Sequence, residues 1–136
     1  MTNQRKIKVL LAQFPLETHS RGIITVAGML RDAGMEVVLI GNALPEQIVE
    51  SAIQEYVDVI GVSTYCGGEL ALGSALMKSA EERGIKERTA FLLGGIFPPA
   101  DIPKLQEMGF NGTFLSATKE EIVSCIENAI AAKKKE

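Results

Sequence analysis

Val57-Asp58-Val59-Ile60-Gly61-Val62 opens a unit that recurs along the whole chain: a short apolar run, a turn of polar residues and glycine, then a helix-length amphipathic segment. The run is too short for an ordinary helix, is rich in β-branched residues, and carries one charge, Asp58, near its start. Apolar residues at consecutive rather than alternate positions mark a strand buried on both faces. The turn that follows is Ser63-Thr64-Tyr65-Cys66-Gly67-Gly68. The helix covers about Glu69 to Arg83, with Leu72, Leu76 and Ala80 at helical spacing and Gly84 as its stop.

Outward from this unit the same pattern repeats. Toward the amino terminus, a strand from Lys6 to Ala12 precedes a helix from about Gly22 to Ala33, whose inner face is Ile23, Val26, Ala27 and Leu30 and whose stop is Gly34. A second strand, Glu36 to Ile40, precedes a helix that starts near Pro45 and turns Ile48, Ala52 and Ile53 inward. Toward the carboxyl terminus come a strand at Thr89 to Leu93, a helix at about Ala100 to Met108 ending in Gly109, and a short strand at Gly112 to Leu115. The last helix opens with Thr118 as N-cap and Glu121 three residues on, a capping-box spacing, and runs to about Ala132. Five βα units with doubly buried strands predict an α/β fold. The expected form is a flavodoxin-like, doubly wound five-stranded parallel sheet of order 2-1-3-4-5, Rossmann-like, as a single domain over 1–136.

Composition narrows the function class. The chain has 136 residues, 46% hydrophobic and 23% charged, with a net charge of -3, which gives no electrostatic case for nucleic acid or an anionic membrane. The basic run Lys133 to Lys135 reads as a solvated helix end. No apolar stretch approaches a membrane span or a signal segment, so a cytoplasmic protein is expected. Cys66 and Cys125 have neither metal-type spacing nor the signature of an oxidising compartment. Cys66 reads as a small passive residue, with no neighbouring base to activate its thiol.

In a sheet of this order, ligands bind beyond the carboxyl ends of the strands, near the switch point between the first and third. Three loops there stand out. The first, Gln13 to Gly22, exceeds the usual roughly 2–6 residues of a βα connection and contains the only histidine, His19. An imidazole in a loop can ligate a transition metal through one nitrogen while a carboxylate such as Glu17 fixes the other; an exposed loop histidine without a role is the other reading. The second, Ser63 to Gly68, offers hydroxyls, a phenol and paired glycines to a polar ligand, or is an ordinary turn. The third, Gly94-Gly95-Ile96-Phe97-Pro98-Pro99, removes side chains where something must pass the backbone, or is a common Gly-Gly turn. No Gly-x-Gly-x-x-Gly follows the first strand, which excludes a dinucleotide fingerprint.

These residues resemble a known family. Glu17-Thr18-His19-Ser20-Arg21-Gly22 is similar to the Asp-x-His-x-x-Gly motif of cobalamin-binding domains. Ser63-x-Tyr65 stands where that family has Ser-x-Leu, and Gly94-Gly95 follows the fourth strand in the family's place. Val9-Leu10-Leu11-Ala12, Leu30-Arg31-Asp32-Ala33-Gly34 and Asp58 to Ser63 look like the cobalamin domains of acyl-CoA mutases of the methylmalonyl-CoA mutase kind, so the resemblance spans nearly the whole chain.

By that resemblance, cobalamin binds with its dimethylbenzimidazole displaced from cobalt. His19 becomes the lower axial ligand, and Glu17 hydrogen-bonds the imidazole. Thr18, Ser20, Arg21 and Gly67 belong to the cofactor-binding loops. Gly22 starts the first helix without blocking the nucleotide tail, Ser63 bonds the buried base, and Gly94 and Gly95 make room for the tail. Glu17 replaces the motif aspartate with a carboxylate one methylene further out, and Tyr65 adds a ring and a hydroxyl beside the tail. The cofactor implied is adenosylcobalamin, and the reaction a radical carbon-skeleton isomerisation to which this chain contributes binding and the cobalt ligand, not catalytic residues.

Corrinoid methyltransfer proteins carry a helical cap ahead of this domain, whereas here the first strand begins near Lys6. The resemblance therefore implies a mutase small subunit whose partner is a large (β/α)8-barrel subunit that makes most contacts to the acyl-CoA. Alternatives are a glutamate-mutase-type small subunit, a cobalamin carrier or sensor, and, more remotely, a flavodoxin-like module for FMN or phosphate.

Overall fold

Hydrogen-bonded pairing orders the five strands 2-1-3-4-5, all parallel, as the alternation of apolar runs and helices predicts. The structure is a computed structural model that describes residues 6–15, 21–65 and 67–134. Strands β1 (Lys8–Gln13), β2 (Glu36–Asn42), β3 (Val59–Thr64), β4 (Ala90–Gly95) and β5 (Gly112–Phe114) alternate with helices α1 (Arg21–Asp32), α2 (Pro45–Glu55), α3 (Glu69–Glu82), α4 (Ile102–Met108) and α5 (Lys119–Lys134). A 3-10 turn, Pro99–Asp101, leads into α4.

Side-chain parity splits the core into two. On one face Leu10, Ala12, Ile60, Val62, Phe91 and Leu93 meet Ile48, Val49 and Ala52 of α2, Leu76 and Ala80 of α3, and Leu105 of α4. On the other, Val9, Leu11, Val59, Ala90 and Leu92 meet Ile23, Ala27 and Leu30 of α1 and Ile122 and Ile126 of α5. A strand alternates its side chains between faces, so each apolar run feeds both cores, which is why the runs read as continuous.

Local polar groups fix the ends of the elements. Asp58, the lone charge near the third strand, accepts the Lys8 N–H through its carboxylate at 2.9 Å, and its own N–H donates to the Lys8 carbonyl at 2.8 Å. Asn111 does the same for β4: its Oδ1 accepts from the Phe91 N–H at 2.8 Å and its N–H donates to the Phe91 carbonyl at 2.7 Å. The capping box of α5 is present, Glu121 N–H donating to Thr118 Oγ1 at 3.2 Å and Thr118 N–H to Glu121 Oε1 at 2.8 Å.

The first four strands run further toward their carboxyl ends than the sequence-based boundaries, while β5 stops one residue short, at Phe114. Ser63, Thr64, Gly94 and Gly95 belong to β3 and β4, pairing Ser63 with Gly94 and Thr64 with Gly95, rather than to the loops after them. Likewise β2 runs on through Gly41 and Asn42, with a register shift opposite Leu11 and Ala12 and Gly41 at φ 79°. That bulge seats Asn42 beside Gln13, where Asn42 Nδ2 donates to the Phe14 carbonyl at 3.0 Å and holds the start of the first loop against the sheet. No helix among the described residues is long and apolar enough to cross a membrane.

Candidate functional site

Toward the carboxyl edge, the two faces of the sheet diverge in side-chain size. Under α2, α3 and α4 the rows stay large, Ile60 then Val62 on β3 and Phe91 then Leu93 on β4. Under α1 and α5 they shrink, from Val59 to Gly61 and Ser63 on β3, and from Leu92 to Gly94 on β4. The missing volume is a cavity of about 170 Å3 between sheet and helices. Its helical wall is Gly22, Ile23, Val26 and Leu30 of α1 and Ile122 of α5; Phe114, Leu115, Ser116 and Ala117 close the β5 side.

The glycines of this wall do different work. A Cβ on Gly94 would lie 3.7 Å from the Phe114 carbonyl oxygen, an ordinary contact, so its lack of a side chain serves the cavity. Gly95 instead has φ 136°, and a Cβ there would run into the backbone carbonyl of Thr64. That carbonyl already accepts the Ile96 N–H at 3.1 Å, so Gly95 is fixed by the packing of β4 on β3. Gly61 faces Leu11, whose Cδ2 would stand 2.8 Å from an added Cβ. Glycine inside a buried strand is the sequence mark of such a close approach, and it was there to be read in Val57 to Val62.

Of the residues expected at the site, Gly22, Ser63, Tyr65, Gly94 and Gly95 come together on this one cavity. Ser63 is buried, and Tyr65, just past β3, is half-buried, with its hydroxyl 2.9 Å from where a Gly22 Cβ would stand. The ring thus spans from the carboxyl end of β3 to the first turn of α1. Arg21 is exposed as the first residue of α1, and Gly67 is exposed with φ 83°; neither lines the cavity. Glu17, Thr18, His19 and Ser20 lie outside the described residues, as does Cys66. Among the described residues no cluster of three or more His, Cys, Asp or Glu could hold a metal ion.

Among the described residues, none lining the cavity is charged; their polar groups are the hydroxyls of Ser63, Tyr65 and Ser116 and the backbone. Such a lining suits a neutral, flat, largely apolar group with a few hydrogen-bonding atoms, as a heteroaromatic base has, and does not suit a bare phosphate dianion. An ionisable group lies across the β3–α3 connection instead. Glu69, in the first turn of α3, is buried, and its Oε1 has no hydrogen-bond partner. Burial, and secondarily the Asp101 carboxyl beside it, push its pKa above the ordinary carboxylate value.

Fold and cavity together define a flavodoxin-like α/β module with an uncharged ligand slot beside the sheet, reaching the carboxyl edge. Residues 7–122 match the B12 binding domain, and the chain belongs to that family. It is 38% identical over 133 residues to the 2-hydroxyisobutanoyl-CoA mutase small subunit of Aquincola tertiaricarbonis, covering 96% of this chain and 97% of that one. The pivalyl-CoA mutase small subunit of Xanthobacter autotrophicus is 35% identical over 125 residues, 90% of this chain and 82% of that one. In architecture the chain is similar to a cobalamin-binding protein from Desulfitobacterium hafniense, with a TM-score of 0.77 at 19% identity over 90% of this chain and 58% of that one.

Proposed function

We propose that this chain is the cobalamin-carrying small subunit of an adenosylcobalamin-dependent acyl-CoA mutase, acting in the cytoplasm as a single domain beside a large barrel subunit. The observation that carries the reading is end-to-end likeness to a protein named 2-hydroxyisobutanoyl-CoA mutase small subunit, 96% of one chain against 97% of the other. The uncharged slot supports it independently, because its lining fits the base of a nucleotide tail.

In this reading His19 would be the protein's ligand to cobalt, and Glu17 would hydrogen-bond the other imidazole nitrogen, fixing the tautomer and raising the ligand's basicity. Thr18, Ser20 and Arg21 would belong to the same cofactor-binding loop. Ser63 offers its buried hydroxyl to the base, Gly94 leaves the base its room, and Gly22 lets α1 begin without a side chain over the tail. Gly67 turns the chain after β3 beside the same edge. Bound adenosylcobalamin supplies radical chemistry through its cobalt–carbon bond; the protein supplies binding and orientation. The acyl-CoA is held mainly by the large subunit.

Mixing the purified chain with adenosylcobalamin is expected to give the absorption spectrum of histidine-ligated cobalt with the benzimidazole displaced. His19→Ala is expected to lose that spectrum, and an unchanged one in the variant rejects the ligand assignment. Co-purification with a barrel subunit of the acyl-CoA mutase kind, and isomerase activity of the mixture on a panel of acyl-CoA thioesters, test the partner. Cofactor binding without such a partner would make the chain a carrier.

A further inference from the structure

We propose that Tyr65 holds the carboxyl-edge end of the slot closed, and so determines how readily a corrinoid's nucleotide tail is admitted. The proposal rests on the slot being the tail pocket. Tyr65 stands two residues after Ser63, so the backbone turns both side chains to the same side of the sheet. Its hydroxyl lies 2.9 Å from the position of a Gly22 Cβ, so any larger residue at 22 would push the ring away. Glycine at that place accommodates the protein's own phenol, in space that a tail passing the start of α1 would need. Ring and tail therefore exclude each other. Tyr65 is one of the walls of this cavity of about 170 Å3.

Tyr65 is the wall built to yield. Thr64 before it is buried and its carbonyl accepts the Ile96 N–H at 3.1 Å, anchoring the strand to that point. Beyond it come Gly67 and Gly68 at φ 83° and 79°, and among the described residues none but its chain neighbours comes within 4 Å of a Cβ added at Gly67. The half-buried ring can rotate outward from an anchored strand end on a glycine-jointed turn. A form with the ring displaced is the binding-competent one, and its population scales the apparent affinity and rate.

The experiment is stopped-flow association of the full chain, as wild type, Tyr65→Leu and Tyr65→Phe, with adenosylcobalamin and with adenosylcobinamide, the same corrin without nucleotide tail. Tyr65→Leu is expected to take up adenosylcobalamin about tenfold faster than wild type, the order of a closed form dominating by ten to one. Tyr65→Phe keeps the ring and is expected to take up adenosylcobalamin more slowly than Tyr65→Leu. Adenosylcobinamide is expected to associate equally with all three. Far-ultraviolet circular dichroism establishes that each variant is folded, and Tyr65→Met replaces the leucine variant should that one unfold. Equal or slower uptake of adenosylcobalamin by the folded leucine or methionine variant, or an equal gain with adenosylcobinamide, overturns the proposal while leaving the tail pocket standing. A wild-type chain that takes up neither corrinoid overturns the pocket reading, and this one with it.

Discussion

Gly94 and Gly95 are adjacent in sequence and opposite in what they do. At Gly95 the positive φ of 136° and the Thr64 carbonyl both forbid a side chain. Gly95→Ala is expected to cost about 3 kcal/mol, measured by chemical denaturation, the strain of a disfavoured backbone added to a steric collision. At Gly94 an added methyl meets the Phe114 carbonyl oxygen at 3.7 Å and otherwise projects into the slot. Gly94→Ala is therefore expected to change stability by no more than about 1 kcal/mol, while weakening adenosylcobalamin binding at least about tenfold, measured by spectral titration. Equal destabilisation by both substitutions would mean that Gly94, like Gly95, is glycine for the packing of the sheet and not for the slot. The sequence shows two identical letters; their separate roles depend on which carbonyl and which strand stand opposite, and only the paired sheet supplies that.

At the scale of elements, the order, type and pairing of strands and helices were legible because buried parallel strands write long apolar runs and helices end at Gly34, Gly84 and Gly109. The carboxyl ends of the strands were not. Gly41-Asn42, Ser63-Thr64 and Gly94-Gly95 have the composition of turns, yet continue β2, β3 and β4, because backbone pairing with a neighbour outweighs local preference. Nor did the sequence announce the joint between α3 and the turn before α4, where buried Glu69 lies beside Asp101. Burial raises the Glu69 pKa, so the folded chain holds a proton that the unfolded chain releases at the ordinary carboxylate value. Unfolding free energy then falls as pH rises from that ordinary value through the raised one, and is level above it. Glu69→Gln keeps a neutral side chain with a donor toward Asp101 at every pH. It is expected to exceed wild type by about 1 kcal/mol at pH 8 and to match it at pH 4, in thermal melts across that range. A variant less stable than wild type at pH 8 would mean that the ionised carboxylate is the form the joint requires.

Across the whole molecule, the two cores flanking the sheet divide stability from binding. The α2–α3–α4 side is packed to the carboxyl edge with large side chains, whereas the α1–α5 side gives up its last row to the slot. Leu92 and Leu93 sample the two sides from consecutive positions of β4: both are buried, Leu93 against the first core and Leu92 against the second, where it also lines the cavity. Leu93→Ala is expected to cost about 3 kcal/mol, the ordinary loss for a buried leucine, yet to leave the rise in melting temperature produced by adenosylcobalamin unchanged. The stabilisation free energy behind that rise is set by cofactor concentration over dissociation constant, about 2.7 kcal/mol at a hundredfold excess, and a cavity on the far face does not alter the constant. Leu92→Ala is expected to lower stability by a similar amount and also to change the rise, because the cavity it creates joins the slot. Melting curves of both variants with and without cofactor separate the two effects. If the increments respond alike, the sheet transmits packing defects from one face to the other, and the division fails.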